Sequence, residues 1–329
     1  MLVETLWDVL GFSAKAGVVL FAVAALSLFI AALARSRSRL GSSPEGEGRL
    51  EVKRLRERLE ALQEPLRSAL LTPKASAARH KAQRRKAKTP PAYLDKRTFV
   101  LEFDGDISAS AVDSLRAEVT ALLGEARPED RIVLRVKSPG GTVDGYGLAA
   151  SQVDRLRQRG LHVLACVDNV AASGGYMLAC VANEIAAAPF AVIGSIGVVV
   201  PLPNAHSLLK RLGIDYENAT AGTHKRLSSV FAEPNPEGRE RLQAKLEETH
   251  DLFKAWIAKY RPALDLESVA TGEYWPASRA IELGLVDRIA TSDDILLEAL
   301  KDSEVLHVHY RRPKPLRARL LSRIHALVA

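Results

Sequence analysis

From Thr98 onward the chain alternates short apolar runs with longer amphipathic stretches. TFVLEF (98–103), RIVLRV (131–136) and HVLACV (162–167) are largely apolar runs of strand length. The stretches between them carry helical spacing. One opens at Ser110, which reads as an N-cap with Asp113 three residues on, and closes at Gly124; another covers 143–159. A further helix starts near Ser173, with short strands expected at 184–187 and 198–200. Beyond about residue 236 the pattern is mainly helical until a strand-like VLHVHY (305–310) and a basic amphipathic tail. His307 and His309 alternate on that strand, but without Cys, Asp or Glu at ligand spacing, so no metal site is expected there. Strands separated by helices predict an α/β domain on a mostly parallel sheet with both faces covered.

The amino-terminal third follows other rules. Between Lys15 and Arg35 run 19 residues without a charge, AGVVLFAVAALSLFIAALA. As a helix that run is about 28 Å long, close to the roughly 30 Å hydrocarbon layer of a bilayer. Ala32-Leu33-Ala34 resembles a signal-peptide cleavage site, but Glu4, Asp8 and Lys15 precede the run where a basic n-region belongs. The reading is a retained single-pass anchor over 1–34, with the spanning helix at about 16–34. Arg35, Arg37 and Arg39 follow it directly, which by the positive-inside rule leaves the carboxyl-terminal bulk in the cytoplasm.

Residues 35–97 then read as a basic helical tether. Leu55, Leu59, Leu62 and Leu66 recur at helical spacing, as a solvated spacer or a coiled-coil seam that Pro65 weakens. KAQRRKAK (81–88) suits anionic headgroups, and Thr89-Pro90-Pro91 ends the segment. The main folded domain follows over 98–304 and the basic tail over 305–329.

Charge supports this division. The formal net charge of the 329 residues is +7; 18 basic against 7 acidic residues in 35–97 give +11, which leaves the remainder at −4. The basic excess therefore belongs to the tether, and without aromatic stacking partners it does not point to nucleic acid. Cys166 and Cys180, both in apolar runs, read as buried thiols and not as a disulfide framework.

Three loops follow strands, where open α/β folds place their ligands. Ser138-Pro139-Gly140-Gly141 can aim a backbone N–H at a developing oxyanion, or be a plain strand-to-helix turn. Ala172-Ser173-Gly174-Gly175 presents a hydroxyl at the amino end of a helix, as a nucleophile or as a cap. It is not the Gly-x-Ser-x-Gly elbow of esterases, because residue 171 is alanine. Gly194-Ser195-Ile196-Gly197 places a second hydroxyl between glycines. His162 and His224 are poor candidates for a base. Lys225, in the small-residue turn Ala221-Gly222-Thr223-His224-Lys225-Arg226, would serve if desolvation lowered its pKa from near 10.4, and is otherwise an exposed loop lysine.

The order SPGG (138–141), ASGGYMLAC (172–180), GSIGV (194–198), AGTHKR (221–226) and GLVD (284–287) resembles the serine–lysine signal-peptide peptidase family (SppA). GYGLAASQ (145–152), APFAVIGSIGVV (188–199) and ATGEYWP (270–276) are similar to its SohB branch, and the resemblance covers roughly 98 to 300. It implies a ClpP/crotonase-type fold of stacked ββα units, a homo-oligomer, and a bacterial inner-membrane enzyme with no cofactor. The partners it implies are peptides, unfolded or membrane-derived. By motif, Ser173 matches the nucleophile, Lys225 the general base, and Ser195 the hydroxyl that orients the lysine. The N–H of Gly174 and that of Gly140 or Gly141 match the oxyanion hole. The family faces the periplasm, against the cytoplasmic side expected from the arginines. Two other readings are a crotonase-fold enzyme acting on acyl thioesters and a non-catalytic membrane scaffold.

Overall fold

The computed structural model describes residues 48–70, 96–219, 221–222 and 229–312. Within them ten strands run in chain order: β1 (Arg49–Arg54), β2 (Arg97–Asp104), β3 (Arg131–Lys137), β4 (His162–Val167), β5 (Val170–Ala172), β6 (Glu184–Ala187), β7 (Val192–Gly194), β8 (Tyr274–Pro276), β9 (Arg288–Ile289) and β10 (Glu304–Arg311). The helices are α1 (Leu55–Leu70), α2 (Val112–Glu125), α3 (Val143–Gln158), α4 (Gly174–Ala179), α5 (His206–Arg211), α6 (Pro236–Tyr260), α7 (Leu266–Val269), α8 (Ala277–Ala280) and α9 (Ser292–Ala299).

Seven strands form one sheet in the order β1-β10-β2-β3-β4-β6-β9, and every pairing from β10 to β9 is parallel. The mixed α/β architecture follows from period-two alternation with apolar residues on both sides. Leu101, Leu134 and Ala165 stand in register and point into the core shared with α2, α3 and α4. Their neighbours Val100, Val133 and Leu164 face the other way, onto Ile295, Leu296 and Leu300 around α9, joined by Leu55 and Leu59 of α1. Both faces being covered, the central strands read as continuous apolar runs. Cys166 and Cys180 are buried free thiols, each pushed up to about 12 by burial.

A second, three-stranded sheet pairs β5 with β7 in parallel and β7 with β8 antiparallel. A bridge between Ser138 and Ala171 continues β3 into this small sheet.

Several elements differ from expectation. Residues 198–200 are not a strand; β7 lies just upstream at Val192–Gly194, where it can pair with β5. Ser110 does not cap α2: its hydroxyl donates to Asp106 Oδ2 at 2.7 Å, and the cap position is Ala111 with no side-chain bond. Residues 49–70, expected within the tether, form a strand and a helix packed against the sheet. On β1 Leu50 and Val52 stay exposed, while the half-buried charged residues make ion pairs, Glu51 with Arg311 and Arg54 with Glu304. Charged residues are a device of edge strands, and with apolar residues left exposed they hide such a strand from hydrophobic patterning. In α1 only the first leucines dock; Leu62 and Leu66 stay 66% and 67% exposed. Among the described residues no helix is long and apolar enough to cross a membrane, and the apolar run 16–34 lies outside them.

Glu118 of α2 is buried against β10. One carboxyl oxygen accepts the Tyr310 N–H at 2.7 Å, and the other has no partner among the described residues. Desolvation first, partly offset by that hydrogen bond and reinforced by Glu102, raises its pKa to about 7. A folded-state pKa raised above the unfolded value near 4.5 means stability present below pH 4.5 and lost as the pH rises through 7. Glu118→Gln, which keeps an acceptor for Tyr310, is therefore expected to raise the melting temperature at pH 8 by several degrees and to match wild type near pH 5. Parallel melting curves for the two proteins across that range would contradict this placement of the charge.

Candidate active site

The small sheet brings the three loops together. Ser138 stands beside Ala171, and Ala171 beside Ile193, so the loop after β3, the turn after β5 and the turn after β7 leave the sheet side by side. The backbone sews them further: Ser138 N–H donates to Val170 O at 2.8 Å, Ala172 N–H to Ser138 O at 3.0 Å, and Ser173 N–H to Gly194 O at 2.8 Å. Ser173 and Ser195 thus follow the register pair Ala172–Gly194 directly.

Both serines have left-handed backbone, with φ of 51° at Ser173 and 52° at Ser195. For a non-glycine residue this conformation costs about 1–3 kcal/mol and persists only where its surroundings over-determine it. At Ser173, with ψ −119°, it makes the sharp strand-to-helix turn that lifts a side chain clear of the sheet. The esterase motif lacks its first glycine here, yet the turn is of the same strained kind. Ser173 sits at the cap position of α4 but makes no side-chain cap bond, which leaves its half-buried hydroxyl free of that duty.

Gly140 and Gly174 close on this turn. Gly140 adopts φ +97°, and a methyl group there would stand 2.7 Å from Ser173 Cβ and 2.9 Å from Gly174 N. Only glycine allows both the conformation and the approach. A methyl at Gly174 would stand 2.4 Å from the Tyr146 ring, and one at Gly141 would overlap the Ile107 carbonyl. The Gly140 N–H donates to Ser138 Oγ at 3.1 Å, whereas those of Gly141 and Gly174 have no acceptor among the described residues. Lys225 lies outside the described residues.

The helix behind Ser173 is held from three sides. The buried Tyr176 hydroxyl donates to Leu285 O at 3.1 Å, and Trp256 of α6 donates to Met177 O at 3.3 Å. Asp287, the last residue of GLVD, accepts the Ile185 N–H at 2.7 Å and both arms of the Arg261 guanidinium. Behind the Gly174 turn lie Tyr146 and Ser138, buried and hydrogen-bonded to each other. Residue patterns single out none of these supports, although Tyr146, Tyr176 and Asp287 all fall inside the runs that carry the family resemblance. Among the described residues no cluster of His, Cys, Asp or Glu could hold a metal ion.

Comparison with known proteins decides the family. The model of "Peptidase family S49" matches residues 155–306, and that of "Peptidase family S49 N-terminal" matches residues 4–153. A Haemophilus influenzae protein named "Probable protease SohB" is 43% identical over 91% of this chain and 87% of its own. The chain belongs to peptidase family S49. A Buchnera aphidicola relative of the same name is 49% identical over 60% of this chain and 65% of its own. A solved structure, the 1510-N membrane-bound stomatin-specific protease, aligns over 63% of this chain and 85% of that one with a TM-score of 0.38 at 17% identity. Membership in S49 makes the protein a peptidase, which sets aside the acyl-thioester and scaffold readings.

The strain at the S49 turn has a measurable signature. Ser173→Gly and Ser173→Ala both lack the hydroxyl, but only glycine relaxes at φ 51°. The glycine variant is expected to be more stable by about 1 kcal/mol, or roughly 2–4 °C in melting temperature. An alanine variant melting as high as the glycine one would show that the turn is unstrained.

Proposed function

We propose that the protein is a membrane-anchored serine endopeptidase with a Ser173–Lys225 dyad, acting on unfolded or membrane-derived peptides such as signal-peptide remnants. The observation that carries the reading is the strained turn at Ser173, packed against Gly140 and set beside Ser195. A serine is held at φ 51° only against a gradient, and a reactive hydroxyl at a helix amino end is a reason to keep it there.

In the reaction, neutral Lys225 accepts the proton of the Ser173 hydroxyl as its oxygen attacks the peptide carbonyl. Ser195 orients the amine. The Gly174 N–H and an N–H of the Gly140–Gly141 pair bind the tetrahedral oxyanion, an interaction typically worth about 3 kcal/mol per donor. Lysine gives its proton to the leaving amine and, neutral again, deprotonates the water that hydrolyses the acyl-enzyme. No cofactor takes part.

The α/β sheet with its small companion sheet is compatible with a ClpP/crotonase-type arrangement of stacked units, and with it assembly into a homo-oligomer. The apolar run 16–34 and the basic residues after it support a single-pass anchor in a bacterial inner membrane. The arginine flank favours a cytoplasmic catalytic domain and the family resemblance a periplasmic one; protease accessibility in spheroplasts distinguishes them.

Full-length protein in detergent is expected to degrade unfolded casein, with Ser173→Ala and Lys225→Ala each lowering the rate by at least about 10³-fold while the melting temperature stays near wild type. Undiminished cleavage by Lys225→Ala would remove the lysine from the mechanism, and by Ser173→Ala would overturn the reading as a whole.

A further inference from the structure

We infer that Tyr146 is a positioning residue for the peptidase reaction, holding in register the two loops whose N–H groups bind the oxyanion. The inference rests on Ser173 being the nucleophile and deepens that reading.

The hydroxyl of Tyr146 stands in a buried chain whose direction follows from donor and acceptor chemistry. The Asp106 carbonyl, 2.9 Å away, can only accept, so it takes the Tyr146 proton. The phenol oxygen then faces Ser138 with lone pairs alone, and the Ser138 hydroxyl must give its proton to it. Ser138 Oγ in turn accepts the Gly140 N–H at 3.1 Å. The chain therefore runs one way, from the Gly140 peptide through Ser138 and Tyr146 to Asp106, with every hydroxyl proton used.

Neither Ser138 nor Tyr146 has any exposed surface. Gly105 packs from the far side, where a methyl would stand 2.5 Å from the phenol oxygen and 2.8 Å from Ser138 Oγ. A satisfied network in so dry a place is rigid, because any rotation would strand a buried donor. Burial also pushes the ionisation of Tyr146 upward, so the hydroxyl keeps its proton across the working pH range.

The ring of the same residue does a second job. It lies under Gly174, with no room for even a methyl between them, and so sets the height of the first peptide after Ser173. The loop bearing Asp106 is tied to the 138–141 loop once more, by Thr142 N–H to Ile107 O at 2.8 Å. One side chain thus reaches Gly140 through its hydroxyl and Gly174 through its ring. Oxyanion donors act through preorganisation, and a displacement of about 1 Å is enough to lose on the order of 100-fold in rate.

The test uses full-length protein, an internally quenched casein-derived peptide, and a peptide aldehyde of the same sequence whose hemiacetal oxygen mimics the oxyanion. Tyr146→Phe keeps the ring and removes the hydroxyl; Ser138→Ala cuts the same chain without touching the aromatic packing, should the first variant fold poorly. The expected result is a fall in kcat of about 10- to 100-fold in each, with KM within about twofold, and a loss of aldehyde affinity matching the loss in kcat/KM. The double variant is expected to be no worse than the weaker single one, since both cut one chain. The inference is overturned if both variants keep wild-type kcat, if the loss lies in KM, or if aldehyde affinity is unchanged. Failure of the underlying reading looks different: wild-type cleavage would then persist in Ser173→Ala, and the inference would fall with it.

Discussion

A single row of backbone pairing holds the site together. Ser138, Ala171, Ile193 and Trp275 stand side by side across the end of β3 and the small sheet, and a candidate loop leaves the row within three residues of each of the first three. Neighbouring strands lie about 4.8 Å apart, so the pairing by itself brings the 138–141 loop, the Ser173 turn and Ser195 close together. Side chains refine that arrangement; the hydrogen-bonded ladder creates it.

The row also explains how two non-glycine residues tolerate left-handed backbone. Ser173 is fixed by its own N–H on Gly194 O, and Ser195 by its N–H on Glu273 O at 2.6 Å. Behind Ser173 the short helix α4 is fastened by Tyr176, Trp256 and the buried packing of Gly174 on Tyr146. Six residues of helix would not hold that turn unaided, given the cost of nucleating a helix. The rigidity comes from the core around it, which is where a site must draw it if its donors are to stay aimed.

Much of this architecture is legible in the residues. The runs at β2, β3, β4 and β6 are apolar on both faces, as strands buried from both sides must be, and their limits come out within a residue or so. Ser173, Ser195 and the Gly140–Gly141 pair are marked by small neighbours at strand ends. What stays hidden has physical reasons. The strands β5, β7 and β8 are three residues each and carry no period, so only their partners reveal them. β1 leaves its Leu and Val exposed while its Glu51 and Arg54 are half-buried, against the usual rule. Tyr146 and Ser138 matter through contacts 8 and 40 residues apart in sequence, which no local pattern encodes. The strain at Ser173 is a property of backbone angles, to which its side chain gives no clue.

The most direct measurement of the central claim is covalent. Full-length protein is treated with a serine-directed fluorophosphonate, digested, and the modified peptide located by tandem mass spectrometry. A single adduct on Ser173, abolished by prior heat unfolding, is the predicted result, because the reactivity belongs to the folded turn and its neighbours. An adduct on another serine, or none on a protein that degrades casein, would contradict it.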